Sequence, residues 1–277
     1  MNIKLIAADL DGTTLKEDKT VSDTTVAAFE SAAEKGIYVV PATGRTFHMI
    51  PERIAGLKCI DYAVTSNGAS VVDIKNNSII YSNLLSTKTA LQLLDILSCY
   101  NTITEVFANG NSQSESGAIE RLSGYDKSQL FYYYRVEKQV FVDSLRDFVS
   151  NNGTGVEKIC IPYLPEKDVR EEIIRKVSTV SGCSITSANK MDVEINAETA
   201  NKGSGLKHLC DYLKIGKDHV MVFGDEKNDI DMFRFAKVAV AMGNAAPELK
   251  RAADIITETN ENDGVALAVK KYALCAQ

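Results

Sequence analysis

Short apolar runs, each ending in a polar loop, recur along the chain. Residues 3–8, 37–40, 61–66, 219–223 and 238–242 have the length and continuous apolar character of strands buried on both faces. Helical periodicities separate them. Ser22 is a capping residue for a helix to about residue 35, with Val26, Phe29, Ala32 and Ala33 on one face and Gly36 at its stop. Further helices are expected over residues 46–57, 202–216 (Leu206, Leu209, Cys210 and Leu213 on one side), 247–253 and 264–272. Strands alternating with helices indicate βαβ units and a parallel sheet, an α/β fold with helices on both faces.

The texture changes between these two stretches. Residues 69–73 and 78–82 pair as a hairpin over residues 75–77, and residues 87–100 carry Leu91, Leu94 and Leu97 at helical spacing. Beyond them come polar loops at 109–117 and 151–155, an aromatic cluster at 131–134 and a strand-like run at 156–163. The expected organisation is a core from residues 1–83 and 190–277, with an α+β domain inserted over 84–189.

Reactive residues gather at the ends of the apolar runs. The first delivers Asp9 and Asp11 into a loop. At ~4 Å and an effective dielectric of ~20, two like charges repel by ~4 kcal/mol, so a metal ion, a lysine or a shared proton must offset them. The second run ends at Thr43 and Gly44, and a later one at Asp225, Asn228 and Asp229, while Lys202 opens a helix between them. Parallel strands bring such ends to one edge of the sheet, where ligands bind in open α/β folds. Asp9, Asp225 and Asp229 are hard oxygen donors suited to Mg²⁺. The Thr43 hydroxyl, the Gly44 N–H and the Lys202 ammonium suit a tetrahedral oxyanion. One carboxylate can attack phosphorus while another handles protons, and phosphoryl transfer asks for little beyond positioning and charge neutralisation.

Simpler roles compete with these. Asn228 or Asp229 would serve as a cap for the next helix, and Arg45 reads as a surface residue. Lys202 at a helix start opposes the helix dipole, which favours a specific role for it. His48, His208 and His219 have no metal-ligand spacing.

Composition narrows the class. With 277 residues, 45% hydrophobic and 25% charged, the chain is long enough for one large domain and a smaller one. A net charge of −6 argues against nucleic acid and a basic membrane patch, and no apolar stretch is long enough to span a bilayer. The N-terminus runs directly into a strand with no signal peptide, and the six cysteines form no CxxC pair, the pattern of reduced thiols in the cytoplasm.

The ordered set DLDGT (from Asp9), ATGR (ending at Arg45), NKGSGL (containing Lys202) and GDEKND (Gly224 to Asp229) resembles the haloacid dehalogenase superfamily. SNGA at Ser66 and MDVEI before Lys202 are similar to its Cof-like hydrolases. The resemblance implies a Rossmann-like core, an α/β cap that closes over the site and contacts the leaving group, and Mg²⁺. Asp9 would be the nucleophile that forms an aspartyl-phosphate and also a metal ligand. Asp11 would protonate the leaving alcohol, then activate water, with its carbonyl on the metal. Asp225 and Asp229 would complete the metal site, and Lys202 would bridge Asp9 and phosphate. Leu10 N–H, Thr43, Gly44 and Asn228 would hold phosphate oxygens. The implied substrate is a small phosphorylated metabolite, a sugar phosphate or relative. A phosphosugar mutase and a phospho-aspartate switch remain as alternatives. Phe131 to Tyr134 and Arg135 read equally as substrate contacts or as alternating strand positions.

Overall fold

The computed structural model describes residues 2–118, 120 and 138–275. The first strand, β1 (Leu5–Ala8), is wholly buried. It leads to α1 (Asp23–Glu34), whose first turn is capped by Ser22 Oγ accepting the Thr25 N–H at 3.0 Å. β2 (Tyr38–Pro41) follows. The helix expected over 46–57 is broken. A 3₁₀ turn at Phe47–Met49 precedes Pro51, and only one helical turn follows, α2 (Glu52–Ala55). Proline lacks the N–H that a continuous helix needs and pushes the residue before it out of helical geometry. β3 (Tyr62–Thr65), β4 (Ser70–Asp73) and β5 (Ser78–Ser82) complete this stretch, the last two forming the expected hairpin.

The chain continues through α3 (Thr87–Leu97), β6 (Glu105–Ala108), β7 (Asn111–Glu115), β8 (Gln139–Val142), α4 (Leu145–Asn151), β9 (Lys158–Ile161), α5 (Lys167–Val177), β10 (Cys183–Thr186) and β11 (Val193–Ala197). It returns with α6 (Lys202–Leu213), β12 (Val220–Gly224), α7 (Ile230–Phe235), β13 (Val238–Ala241), α8 (Pro247–Ala252), β14 (Ile255–Ile256) and α9 (Gly264–Ala268).

Two compact units result: residues 1–45, 50–82 and 201–277, and residues 46–49 and 83–200. The second crossing falls at 200 rather than 189, because β11 is bonded between β9 and β10 and so belongs to the insert's sheet.

In the first unit five parallel strands run in the order β14-β13-β12-β1-β2. A bridge from Ala42 to Val64, with Thr43 N–H on Val64 O at 2.9 Å, links β2 to the β3-β4-β5 meander. The helices fall into two groups. α1 packs with α9 and β2, and α6 packs with β3–β5 and α7. All the strands that carry reactive loops are parallel, so their carboxyl ends share one edge.

The second unit is a six-stranded sheet in the order β10-β11-β9-β6-β7-β8, antiparallel except for β7 with β8. The β6–β7 hairpin lies where a polar loop was expected. Asn109 and Gly110 turn it with φ of +53° and +75°, the conformation a two-residue hairpin loop requires. The polar sequence of β7, NSQSE, hides the strand. The aromatic residues 131–134 and Arg135 lie outside the described residues. Among the described residues no helix is long and apolar enough to cross a membrane.

One face of this sheet is unusually polar for its burial. Register puts Glu105, Phe107, Ser112, Ser114, Lys158, Cys160, Glu194 and Asn196 on a common side, all buried. Lys158 donates to Glu194 and stands over the Phe107 ring, 4.4 Å from its centroid. Gln139 donates to Glu105 and accepts the Ser112 hydroxyl at 2.8 Å. Burial pushes the Glu105 carboxyl up from 4.5 to about 7, against the opposing pull of Lys158. A carboxyl raised in the folded state favours folding below its unfolded pKa of 4.5, and that contribution is lost as pH climbs to about 7. Glu105→Gln should therefore melt higher than the wild type near pH 8, by up to about 3 kcal/mol, and converge on it near pH 5. Calorimetry at both pH values checks this, and a pH-independent offset would refute it.

Candidate active site

Asp9 follows β1 directly. Its N–H still bonds Phe223 O at 3.1 Å, and the residue is 5% exposed. Lys202 is the first residue of α6. Asn201 and Ser204 cap that helix reciprocally, with Ser204 N–H on Asn201 Oδ1 at 2.8 Å and Asn201 N–H on Ser204 Oγ at 3.1 Å. The cap fixes where Lys202 leaves the backbone. Its Nζ, fully buried, donates to Asp9 Oδ1 and to Asp229 Oδ1, each at 2.7 Å.

Asp229 also serves the loop after β12. Its Oδ2 accepts the N–H groups of Asp225 at 2.9 Å and Glu226 at 3.1 Å, closing a capping box on the short 3₁₀ turn Lys227–Asp229. The cap expected for the next helix is not made. Asp229 precedes α7, but its side chain bonds none of that helix's N–H groups, because both oxygens are turned back to the loop and to Lys202. Asp225 Oδ1 accepts the Thr13 hydroxyl at 2.7 Å. Ligand atoms of Asp9, Asp225 and Asp229 lie within 4.8 Å of one another.

The backbone permits this crowding at two glycines. Gly12 has φ +77°, and a Cβ there would lie 2.2 Å from Asp225 Oδ2. Gly68, in the SNGA stretch, has φ +85°, and a Cβ there would meet Asn201 O at 2.0 Å. The second contact seats the SNGA loop on the start of α6.

Charge does not balance within the cluster. Three buried carboxylates face one ammonium. Burial, with Asp229 and Asp11 adding to it and Lys202 opposing, pushes Asp9 up to about 7. Burial together with Asp9 and Asp229 raises Asp225 well above the carboxylate range. Burial by itself would lower Lys202, but Asp229 and Asp9 outweigh it and hold the ammonium above its ordinary value. A site with excess buried negative charge and hard oxygen donors fits a divalent cation such as Mg²⁺. Asn228 adds a further sign of an unfinished site. It is 8% exposed, donates from Nδ2 to Asn67 Oδ1 at 3.3 Å, and its buried Oδ1 has no hydrogen-bond partner among the described residues.

Asp11 is set apart from that cluster. Arg45 grips it with a fork, Nε on Oδ2 and Nη2 on Oδ1, both at 2.7 Å, and Lys19 Nζ reaches Oδ1 at 3.0 Å. Burial raises the carboxyl, but the two cations outweigh it and hold Asp11 well below the usual range. Arg45 is therefore no surface residue. It is 7% exposed and orders its own loop, with its N–H on Thr43 Oγ1 at 3.1 Å and its carbonyl accepting the Ser66 N–H at 2.8 Å. Thr43 is 1% exposed, and the bond from Arg45 leaves its hydroxyl proton to donate. Gly44 lies between them in the same loop, partly exposed. The Leu10 side chain is packed in the core, 1% exposed.

Several supporting residues have no signature in the sequence reading. Thr13 orients Asp225, and Thr14 Oγ1 donates to Asp9 O at 2.6 Å. Asn244 Nδ2 donates to Gly12 O at 2.8 Å, while Asn260 bonds both Asn244 Oδ1 (3.1 Å) and Leu15 O (2.9 Å). The Gly243-Asn244 pair after an apolar run is the one local clue to the last group.

A family model described as haloacid dehalogenase-like hydrolase matches residues 6–269. A 5-amino-6-(5-phospho-D-ribitylamino)uracil phosphatase of Bacillus subtilis is 30% identical over 275 residues, covering 99% of this chain and 97% of that one. A second phosphatase of that name from the same organism is 32% identical over 275 residues, covering 97% of each. Among solved structures, a haloacid dehalogenase-like hydrolase from B. subtilis superposes with a TM-score of 0.83 at 26% identity, covering 98% of this chain and 100% of that one. Another from Bacteroides thetaiotaomicron has a TM-score of 0.80 at 25% identity, covering 97% and 99%. Motif order, parallel-sheet topology and a match over nearly the whole chain converge: this protein belongs to the haloacid dehalogenase-like hydrolase family.

Proposed function

We propose that the protein is a Mg²⁺-dependent phosphatase acting on small phosphomonoesters, sugar or polyol phosphates foremost, through a phosphoryl group carried on Asp9. The observation that carries this reading is the buried set of Asp9, Lys202, Asp225 and Asp229, an acid cluster with one ammonium and a shortfall of positive charge.

The carboxylate of Asp9 attacks phosphorus, forming an O–P bond as the bond to the substrate alcohol breaks. For this step Asp11 must carry a proton, which Arg45 and Lys19 oppose. The negative charge of a phosphate bound beside it raises the carboxyl, which then gives that proton to the departing oxygen. A water then enters, Asp11 takes one of its protons, and the resulting hydroxide displaces Asp9 and releases inorganic phosphate. Lys202 holds the Asp9 oxygen it already contacts and offsets charge on the transferring group. Thr43, Gly44, the Leu10 N–H and Asn228 orient the phosphate oxygens. Asp9, Asp225, Asp229 and the Asp11 carbonyl would hold Mg²⁺, which supplies neutralisation of phosphoryl charge when bound.

One feature supports a hydroxyl-rich leaving group: the two B. subtilis relatives are named for a phosphoribityl substrate. The six cysteines, all free, support a reducing, cytoplasmic location.

The test is phosphate release from para-nitrophenyl phosphate and from a panel of sugar phosphates, with Mg²⁺ and with EDTA. Isomerisation of a hexose phosphate without release would instead favour a mutase. A metal-ligand variant gives an independent check. Because the ligands must lose protons to bind metal, Mg²⁺ should raise the wild-type melting temperature more near pH 8 than near pH 6. Asp225→Ala should abolish that pH-dependent gain, and an unchanged gain would move the metal elsewhere.

A further inference from the structure

We propose that Lys19 is a positioning residue for Asp11, fixing which of its two oxygens exchanges the proton. The inference rests on the phosphatase reading above, and it starts from a strained backbone. Lys19 has φ +65°, a conformation that side chains other than glycine and asparagine rarely take. Nothing local demands lysine there, since a turn with positive φ is better served by glycine.

The turn that presents Lys19 is closed on itself and anchored behind. Lys19 N–H bonds Lys16 O and Lys16 N–H bonds Thr20 O, both at 2.9 Å. Asp18 Oδ1 accepts the Thr20 N–H at 2.9 Å and its hydroxyl at 2.7 Å. Glu17 N–H is held by Glu261 Oε1 at 2.8 Å, and Leu15 O by Asn260. A rigid, self-braced turn thus aims one ammonium at Asp11 Oδ1 over 3.0 Å.

The consequence for Asp11 lies in the asymmetry of its partners. Among the described residues, Oδ1 accepts from both Lys19 and Arg45 Nη2, whereas Oδ2 accepts from Arg45 Nε alone. Oδ1 is occupied on two sides, and Oδ2 keeps a lone pair. Oδ2 is then the oxygen that gives the proton to the leaving alcohol and takes one from water. Without Lys19 the Arg45 fork still binds both oxygens, but the carboxylate loses the third contact that distinguishes them. Misplacement of a reacting group on this scale costs up to about 100-fold in rate, and a partial loss of order costs less, on the order of tenfold.

Lys19→Gly is the informative variant, because glycine accepts the backbone that lysine strains. It should melt at or above the wild-type temperature while kcat for a sugar phosphate falls on the order of tenfold and KM stays within about twofold. Lys19→Arg should recover most of the rate. In an Asp11→Asn background, adding Lys19→Gly should cost nothing further, because the effect passes through the Asp11 carboxylate. An unchanged kcat in Lys19→Gly, or the same loss in the Asp11→Asn background, overturns the inference while leaving the phosphatase reading intact. A wild-type enzyme that releases no phosphate from any substrate removes the phosphatase reading, and this inference with it.

Discussion

Asp9→Asn should lose phosphatase turnover by at least about 10³-fold while the protein stays folded, the result expected if Asp9 is the proposed covalent nucleophile. The amide keeps the shape of the carboxylate and its oxygen still accepts from Lys202, but it cannot form the bond to phosphorus. Stability moves the other way. Burial holds Asp9 at about 7 against an ordinary 3.8, so its ionised form opposes folding across that interval and above it. A neutral side chain relieves that opposition. In EDTA the variant should therefore melt at or above the wild type near pH 8, with the difference shrinking toward pH 4. Phosphate release and thermal denaturation on the same samples separate the two effects. Turnover above a few per cent of wild type, once contaminating phosphatase is excluded, would remove Asp9 as the nucleophile.

Lys202→Met should damage both stability and activity. The ammonium is wholly buried and makes two 2.7 Å contacts to carboxylates that have few other positive neighbours. Removing one partner of a buried ion pair costs about 3–5 kcal/mol, because the remaining charge is left uncompensated. Here the remaining charge belongs to three acids, and they can escape the penalty only by binding protons or metal. The loss in EDTA should be larger near pH 8 than near pH 5, and added Mg²⁺ should recover part of it. Activity should stay about 10²- to 10⁴-fold down even with Mg²⁺ saturating, since charge at the Asp9 oxygen in the transition state is no longer offset. A variant that melts with the wild type in EDTA near pH 8 would show that Lys202 does not balance this cluster.

These two residues are legible in the sequence. Asp9 ends a short apolar run with a second acid one residue on, and Lys202 opens a helix against the dipole. Other positions are not. Arg45 reads as a surface residue because its partner, Asp11, is remote in the chain and reached only when β1 and β2 pair. Lys19 looks like any lysine in a polar loop until the turn from Lys16 to Thr20 closes. Thr13, Asn244 and Asn260 support the site through single side-chain bonds to distant loops, and no periodicity records such bonds. In the insert, β7 is polar along its length and so lacks the alternation that betrays a half-buried strand, and its turn residues Asn109-Gly110 merge into what reads as one polar loop over 109–117. The boundary near residue 200 escaped for a similar reason. β11 (VEINA) alternates apolar and polar residues, a pattern that does not say which sheet it joins, and only its pairing with β9 and β10 assigns it.

By itself, then, the chain determined what depends on neighbours in sequence: the parallel α/β core, through apolar runs followed by helical repeats, and the acids and lysine placed at the ends of those runs. Tertiary structure alone decided which charges meet. It put Asp9, Asp225 and Asp229 around Lys202 and drew Asp11 away between Arg45 and Lys19. The reason is physical. Strand and helix patterns arise from burial averaged over several adjacent residues, whereas the state of a buried charge depends on a few groups within about 4 Å, where low dielectric makes each partner count for several kcal/mol.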